Sequence, residues 1–323
     1  MTEIIKSGTF DTHLSRINGQ RDIYQEMLQH KRSPQTKRAY AADVKDFFGY
    51  FGAEPSPAAM KEFLSLSKVE ATALVLQWRN HLTERGLKES SIGRKIGSIK
   101  ALVKFSNDIG CCEWVLTAEA LSCTRGVVSY RDTTGLPPDE IKKILSHPDR
   151  STFAGKRDYA MLQLLWGNGL RRSEVVSLDL DDVDFSDRSL WVLGKGKSEK
   201  IRVQMNKSVA SAVKEWLKVR VNYYEHKDKN ALFICIGGIK RGARLTAQSL
   251  YNLVDRTSKA VGITKKMSPH RVRHSAITTV LERNNGNLRK AQSFSRHSDV
   301  NTLMVYDDNR NFAQSEMSDL LEF

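Results

Sequence analysis

The sequence lacks what would place it in several large classes of protein. No stretch approaches the roughly 20 apolar residues that cross a bilayer, and residues 1–10 contain no apolar core of a secretory signal. Cysteine is scarce: four in 323 residues, at 111, 112, 123 and 235, with no Cys-x-x-Cys pair. That spacing gives no zinc ribbon and no dithiol redox centre, and the adjacent Cys111 and Cys112 are poorly placed to bridge each other. Four free thiols and a reducing compartment are expected, so the chain is read as cytoplasmic. There is no internal repeat, no low-complexity tract and no polybasic tail, which sets aside solenoids, propellers and disordered basic arms.

Acidic residues are the minority: 37 Asp and Glu against 51 Lys and Arg, a net charge of +14 and a pI of about 9.6. A folded protein this basic attracts polyanions. Nucleic acid is the leading partner, because phosphate neutralisation releases counterions, and a membrane surface is the alternative. The excess lies within folded segments, as a protein that clasps DNA needs. Hydrophobic residues make up 40% and charged residues 27%, enough for two domain cores without metal or disulfide staples.

Residues 1–30 are polar, with weak helical hints, and read as an N-terminal extension. Residues 31–124 carry helical periodicity throughout. Tyr40, Val44, Phe47 and Phe51 mark one helix face, a second helix spans 71–84 and stops at Gly86, and a third spans 90–107 with Ile92, Ile96, Ile99 and Val103 inward. Arg94, Lys95 and Lys100 decorate the other sides of that third helix and are candidate DNA contacts, against a background of ordinary solvated lysines. Gly126, Gly135, Pro137 and Pro138 make 125–137 a linker. Beyond it, helices are expected from Pro138 and over 157–166, 208–225, 246–260, 269–283 and 299–306. One β-hairpin, 189–193 with 200–204, surrounds Gly194-Lys195-Gly196-Lys197. A last amphipathic segment covers 312–321.

Four local patterns carry chemistry-bearing residues. Gly169-Leu170-Arg171-Arg172-Ser173-Glu174 sits at a helix junction; alone it reads as a surface arginine pair with Ser173 as a cap. Lys195 lies in the hairpin turn. Gly196-Lys197-Ser198 resembles the end of a phosphate-binding P-loop, but Trp191 stands where that motif requires glycine, and a strand rather than a helix follows. Ser268-Pro269 opens a helix cleanly and places His270 and Arg273 on one face. His270 and His274 also have metal-ligand spacing, yet Arg271 stands where a zincin has glutamate, so no metal is expected. His297 is followed nine residues later by Tyr306.

Taken together, Arg171, Lys195, His270, Arg273, His297 and Tyr306 suit one reaction, attack on a phosphodiester. Two guanidinium forks hold non-bridging oxygens and stabilise a pentavalent transition state. A phenol serves as nucleophile if an imidazole takes or orients its proton, and a lysine can protonate the leaving oxygen. The cations are already on the protein, so no cofactor is called for.

In this order the residues resemble the tyrosine recombinase (phage integrase) family, Xer-like enzymes included. Gly169-Leu170-Arg171-x-Ser173-Glu174 is similar to the family's first-arginine box, Gly194-Lys195-Gly196 to its hairpin lysine, and His270-x-x-Arg273-His274 to its second-arginine box. His297 with Tyr306 is similar to its terminal pair. Ser33-Pro34-x-Thr36-x-x-x-Tyr40 and Ser91-Ile92-x-x-Lys95 resemble its helical core-binding domain, so the resemblance covers residues 33–310.

The implied fold is mainly α: an N-terminal SAM-like core-binding domain over 31–124, then a catalytic domain over 138–323 with a small β-hairpin. The implied roles are Tyr306 as nucleophile through a 3′-phosphotyrosine, Arg171 and Arg273 as phosphate clamps, and Lys195 as general acid. His270 would assist proton transfer and His297 would bond the phosphate. The implied assembly is a homotetramer on paired inverted-repeat sites in double-stranded DNA, working through a Holliday junction, with 312–323 docking on a neighbouring protomer. Accessory DNA-bending proteins are candidate partners, and the location is nucleoid-associated. Type IB topoisomerase-like relaxation and a catalytically inactive DNA-binding relative are the alternatives. One departure is Arg296, where the family commonly has glycine before His297; the added cation either contacts DNA or alters the turn that sets His297, and a contact with the DNA backbone is the expectation.

Overall fold

The computed structural model describes residues 22–117, 135–194, 196–222, 227–297 and 299–304. The chain divides into two compact units between Ser129 and Tyr130. The N-terminal extension and the linker read from the sequence fall mostly outside the described residues, as do Cys123 and the segment 312–323.

The first unit is helical: α1 (Ile23–Gln29), α2 (Pro34–Tyr50), α3 (Pro57–Ser65), α4 (Lys68–Glu84) and α5 (Glu89–Asp108). Serine caps set three of the starts. Ser33 and Ser56 accept from backbone N–H groups ahead of Pro34 and Pro57, and Ser67 forms a reciprocal capping box with Glu70. Phe47 centres the core, with edge-to-face contacts to Phe48, Phe63 and Trp78 at 5.2–5.3 Å. The isoleucine face of α5 packs there as its spacing foretold: Ile92, Ile96, Ile99 and Val103 are all buried. Phe51, expected on the inward face of α2, instead caps its C-terminus and is exposed.

The second unit is built on α7 (Phe153–Gly167), buried on most sides through Ala160, Met161, Leu162, Leu164 and Leu165. Around it lie α6 (Pro138–Ser146), α8 (Arg172–Ser177), α9 (Lys207–Arg220), α10 (Ala247–Ala260), α11 (Pro269–Arg283) and α12 (Leu288–Ser295). The sheet has three antiparallel strands, β1 (Val183–Asp184), β2 (Ser189–Leu193) and β3 (Lys200–Gln204), in the order β1-β2-β3. The hairpin register pairs Leu190 with Val203 and Val192 with Ile201, which turns Leu190 and Val192 into the core. Residues 231–234 are wholly buried and form isolated bridges to Asp179 and Arg244, so this short apolar run threads the core without joining the sheet. A satellite cluster of Ile277, Leu281, Ala291 and Leu303 binds α11, α12 and the helical stretch 301–304 together.

Gly155 fixes the start of α7. Its N–H donates to the Thr152 cap at 2.9 Å, and a Cβ there would lie 1.8 Å from the Asp149 carbonyl oxygen. Backbone would have to move to admit it. Gly155→Ala is therefore expected to destabilise the second unit by about 1–3 kcal/mol in urea unfolding. Gly93→Ala, in the interior of α5 where a Cβ meets nothing within 4 Å, should stabilise the first unit by about 0.5–1 kcal/mol. Equal effects from the two substitutions would contradict this packing.

Candidate active site

The site gathers at two helix ends. α7 stops at Gly167; Asn168 caps it, donating from Nδ2 to the Gln204 carbonyl at 2.7 Å. Gly169 then turns with φ +53, and a Cβ there would lie 2.9 Å from the Phe294 ring. Leu170 drops into the core. Arg171, rather than Ser173, is the N-cap of α8.

Glu174, one turn into α8, receives both ends of Arg171. The Arg171 N–H donates to Oε2 at 2.8 Å and Nη1 donates to Oε1 at 2.7 Å. This carboxylate is 1% exposed, whereas the Arg171 side chain is 27% exposed and is the part that reaches solvent. Burial pushes the Glu174 carboxyl up, but Arg296 and Arg171 outweigh it and hold it below the usual carboxylate range.

Arg273 lies in α11 and is almost wholly buried. Nη1 donates to the Gly169 carbonyl and Nη2 to the Ser295 carbonyl. The same Nη2 lies 3.3 Å from His297 Nε2. A guanidinium can only donate, so Nε2 is assigned as the acceptor and the imidazole proton to Nδ1. The His297 carbonyl accepts from Gln292 Nε2 at 3.1 Å, which fixes the residue beyond α12. Burial first, then Arg273 and Arg171, pull the His297 pKa down to about 4. The ring is neutral at pH 7.

His270 stands exposed on the first turn of α11, its ring centroid 4.0 Å from that of His274 in a T-shaped contact. His274 is pulled to about 3, by burial and then by His270, Arg273, His297 and Arg271. Such a ring surrounded by cations is a poor partner for a metal ion. Among the described residues no group of three His, Cys, Asp or Glu is arranged to hold one.

Of the six residues singled out in the sequence, Arg171, His270, Arg273 and His297 come together in this one cluster. Lys195 and Tyr306 lie outside the described residues. Around Lys195 the turn is closed by Lys197 N–H donating to the Gly194 carbonyl at 3.1 Å. Leu303, three residues before Tyr306, is buried against α11 and α12.

Arg296 departs from its expected place. It is the left-handed C-cap of α12, φ 57, and its side chain is 10% exposed. Nη1 donates to the Asn168 and Phe294 carbonyls at 3.1 and 2.9 Å; Nη2 donates to the Gly169 carbonyl and to Glu174 Oε2, both at 3.1 Å. These donors face inward, so a direct contact with DNA does not fit the geometry.

Of the other expected DNA contacts, Lys95 and Arg94 are engaged in ion pairs. Lys95 is 14% exposed, bonded to Asp46 at 2.7 Å and 3.6 Å from the buried Asp43. Arg94 pairs with the same Asp43 but remains half exposed. Lys100 is partly buried. Glu174 is the site residue whose part was not assigned from the sequence. Its signal was there, an acidic residue three positions after a helix start.

Known proteins resemble this chain in sequence and in fold. The phage integrase family description matches residues 135–311, and the phage integrase N-terminal SAM-like domain matches residues 22–108. The chain belongs to the phage integrase family, the tyrosine recombinases. It is 41% identical to a tyrosine recombinase of Synechococcus elongatus over 93% of this chain and 92% of that one. It is also 41% identical to a tyrosine recombinase of Synechocystis over 96% of each. Among solved structures, the XerH site-specific recombinase bound to its difH substrate, in a post-cleavage complex, shares the fold at a TM-score of 0.67. That match is 20% identical and covers 88% of this chain and 79% of that one. The mainly helical fold with a SAM-like first domain and a small sheet is thus the one that the sequence motifs implied. The enzyme class is that of the tyrosine recombinases.

The depressed histidines give the unit a pH signature. Unfolded, both rings titrate near the ordinary value of about 6.5; folded, they do so near 4 and 3. Their contribution to stability is complete above about pH 6.5 and is lost as pH falls toward 4, because only the unfolded chain takes up these protons. Between pH 6.5 and 5, above the carboxylate range, the thermal midpoint of the second unit should fall. His274→Gln should flatten that slope, and an unchanged slope would show that the ring protonates equally in both states.

Proposed function

We propose that this recombinase cleaves and rejoins DNA at specific sites, with Tyr306 as its nucleophile. The observation that carries the reading is the gathering of two guanidinium groups and a neutral imidazole at the ends of α7 and α12: Arg171 Nη2 on the Arg296 carbonyl, Arg273 Nη1 on the Gly169 carbonyl, and Arg273 Nη2 against His297 Nε2. Three donors fixed against the protein form a receptor for one phosphodiester. The net charge of +14 supplies the wider attraction to duplex DNA.

In the proposed reaction, Tyr306 Oη attacks the scissile phosphorus and the bond to the 5′-oxygen breaks. The phenolic proton leaves through His270, and Lys195 donates a proton to the departing 5′-oxygen. The products are a 3′-phosphotyrosine and a free 5′-hydroxyl. Arg171 and Arg273 stabilise the charge of the pentavalent state, and His297 hydrogen-bonds the phosphate. Attack by the 5′-hydroxyl of a partner strand reverses the chemistry and releases the tyrosine. The phosphodiester energy is conserved, so no nucleotide is consumed. Two such exchanges, through a Holliday junction in a homotetramer on paired inverted repeats, complete recombination. The segment 312–323 docks on a neighbouring protomer, and accessory DNA-bending proteins act where the sites require them.

Two experiments test this. Pure protein is incubated with nicked, fragmented DNA, stripped with hot detergent, and the attached DNA sequenced. The wild type should retain one shared inverted-repeat sequence and Tyr306→Phe none; equal retention by both would assign the nucleophile elsewhere. Lys195→Ala should slow cleavage of a normal strand by about 10²–10⁴-fold, the range for a lost general acid. A 5′-bridging phosphorothioate, whose leaving group needs no proton, should restore the rate; failure to rescue would remove Lys195 from that role.

A further inference from the structure

Arg296 shares hydrogen-bond partners with both arginines read as phosphate ligands, and its own guanidinium is held by three backbone carbonyls and Glu174. Its Nη2 and the Nη1 of Arg273 donate to one acceptor, the Gly169 carbonyl. Its own carbonyl accepts from Arg171 Nη2 at 3.4 Å. Its two chain neighbours are Ser295, whose carbonyl receives Arg273, and His297, whose Nε2 lies against Arg273. Its side chain also shares the buried Glu174 carboxylate with Arg171, whose guanidinium takes Oε1 and whose N–H joins Arg296 on Oε2.

We propose that Arg296 is a positioning residue for strand cleavage: its guanidinium ties the Asn168–Gly169 turn to the end of α12 and occupies Glu174 Oε2, so that Arg171 and Arg273 keep one common orientation toward a phosphate. The inference rests on the reading of those two arginines as phosphate ligands.

The physical argument concerns the sharing of Glu174. A carboxylate 1% exposed needs compensation on both oxygens. With Arg296 in place, Arg171 neutralises only part of that charge and its head stays partly in solvent. Without Arg296, the whole charge falls to Arg171, which is drawn down onto Glu174 and away from substrate. At the same time the Gly169 carbonyl loses one of its two donors and the Asn168 and Phe294 carbonyls lose theirs, which loosens the turn on which Arg273 also rests. A displacement of about 1 Å at a catalytic group costs on the order of 100-fold in rate.

The variant that isolates the guanidinium is Arg296→Gly. Glycine adopts φ 57 without strain, so the backbone cap of α12 is retained. Arg296→Lys keeps the charge but not the planar fork. Two readouts are compared with the wild-type full chain. The first needs no DNA: the arginine side-chain Nε–Hε resonances of Arg171 and Arg273 by NMR. The second is single-turnover formation of the covalent adduct on a nicked duplex carrying the site recovered above, beside non-covalent affinity for the same duplex.

In Arg296→Gly the two arginine resonances are expected to shift and broaden, and adduct formation to slow by about 10–100-fold. Affinity and its salt dependence should stay within about twofold. Added guanidinium ion should restore part of the rate, and Arg296→Lys should fall between glycine and wild type. Unmoved resonances with a wild-type adduct rate would overturn the proposal and leave Arg296 a stabilising cap, whatever the loss in Tm. A large fall in affinity with a shallower salt slope would overturn it in favour of direct DNA contact. If the wild type itself forms no adduct, the recombinase reading is what fails, and the resonances alone decide whether Arg296 positions its neighbours.

Discussion

The site depends on the carbonyl oxygen of Gly169, where two guanidinium groups meet. The last carbonyls of a helix have no partner within it and carry the negative end of its dipole. Here the ends of α7 and α12 face one space, and arginine side chains supply the missing donors: Arg273 to Gly169 and Ser295, Arg296 to Asn168, Gly169 and Phe294. Free in solvent, such side chains would be mobile and would repel one another. Bound to backbone that helical hydrogen bonds already fix, they become rigid. The geometry of the cations is therefore inherited from the packing of α7, α11 and α12.

Much of this was legible in the sequence, and what was missed has particular causes. The hairpin strands fall at 189–193 and 200–204 as read, because alternating apolar residues around a glycine turn admit one register. α11 begins at Pro269 behind Ser268, as the cap and proline indicate. Helices α4 and α7 begin three and four residues earlier than their apolar periodicity suggests, since the Ser67 and Thr152 caps fix starts ahead of the periodic run. The helix expected over 208–225 ends at Arg220. α3 and α12 were not anticipated. α12 has only eight residues, of which Ala291 and Ser295 are buried, too little pattern to separate it from a loop. Yet it contributes two of the four helix-end carbonyls, those of Phe294 and Ser295, that hold Arg273 and Arg296.

Arg296 shows where charge patterning fails as a guide. A cation beside a candidate active site in a basic protein reads as a substrate contact, and the sequence carries no sign that the side chain turns inward. The backbone decides it. Position 296 is a left-handed cap, a conformation that glycine takes freely and that costs other residues about 1 kcal/mol. The family's common glycine at this place meets that steric demand. Arginine meets the cost differently, with four hydrogen bonds from its guanidinium, one of them to the Glu174 carboxylate.

The electrostatics of the cluster follow from the same crowding. Arg171 and Arg296 flank a single buried carboxylate and Arg273 lies against His297, so the interior is already rich in positive charge before any substrate arrives. Neutral histidines are the response: adding protons to His297 or His274 would add charge where burial and neighbouring guanidiniums oppose it. A phosphodiester bound here, as proposed above, would bring one negative charge into this setting and relieve the repulsion. In its absence, the positive charge that burial would otherwise penalise is held by helix-end carbonyls and Glu174.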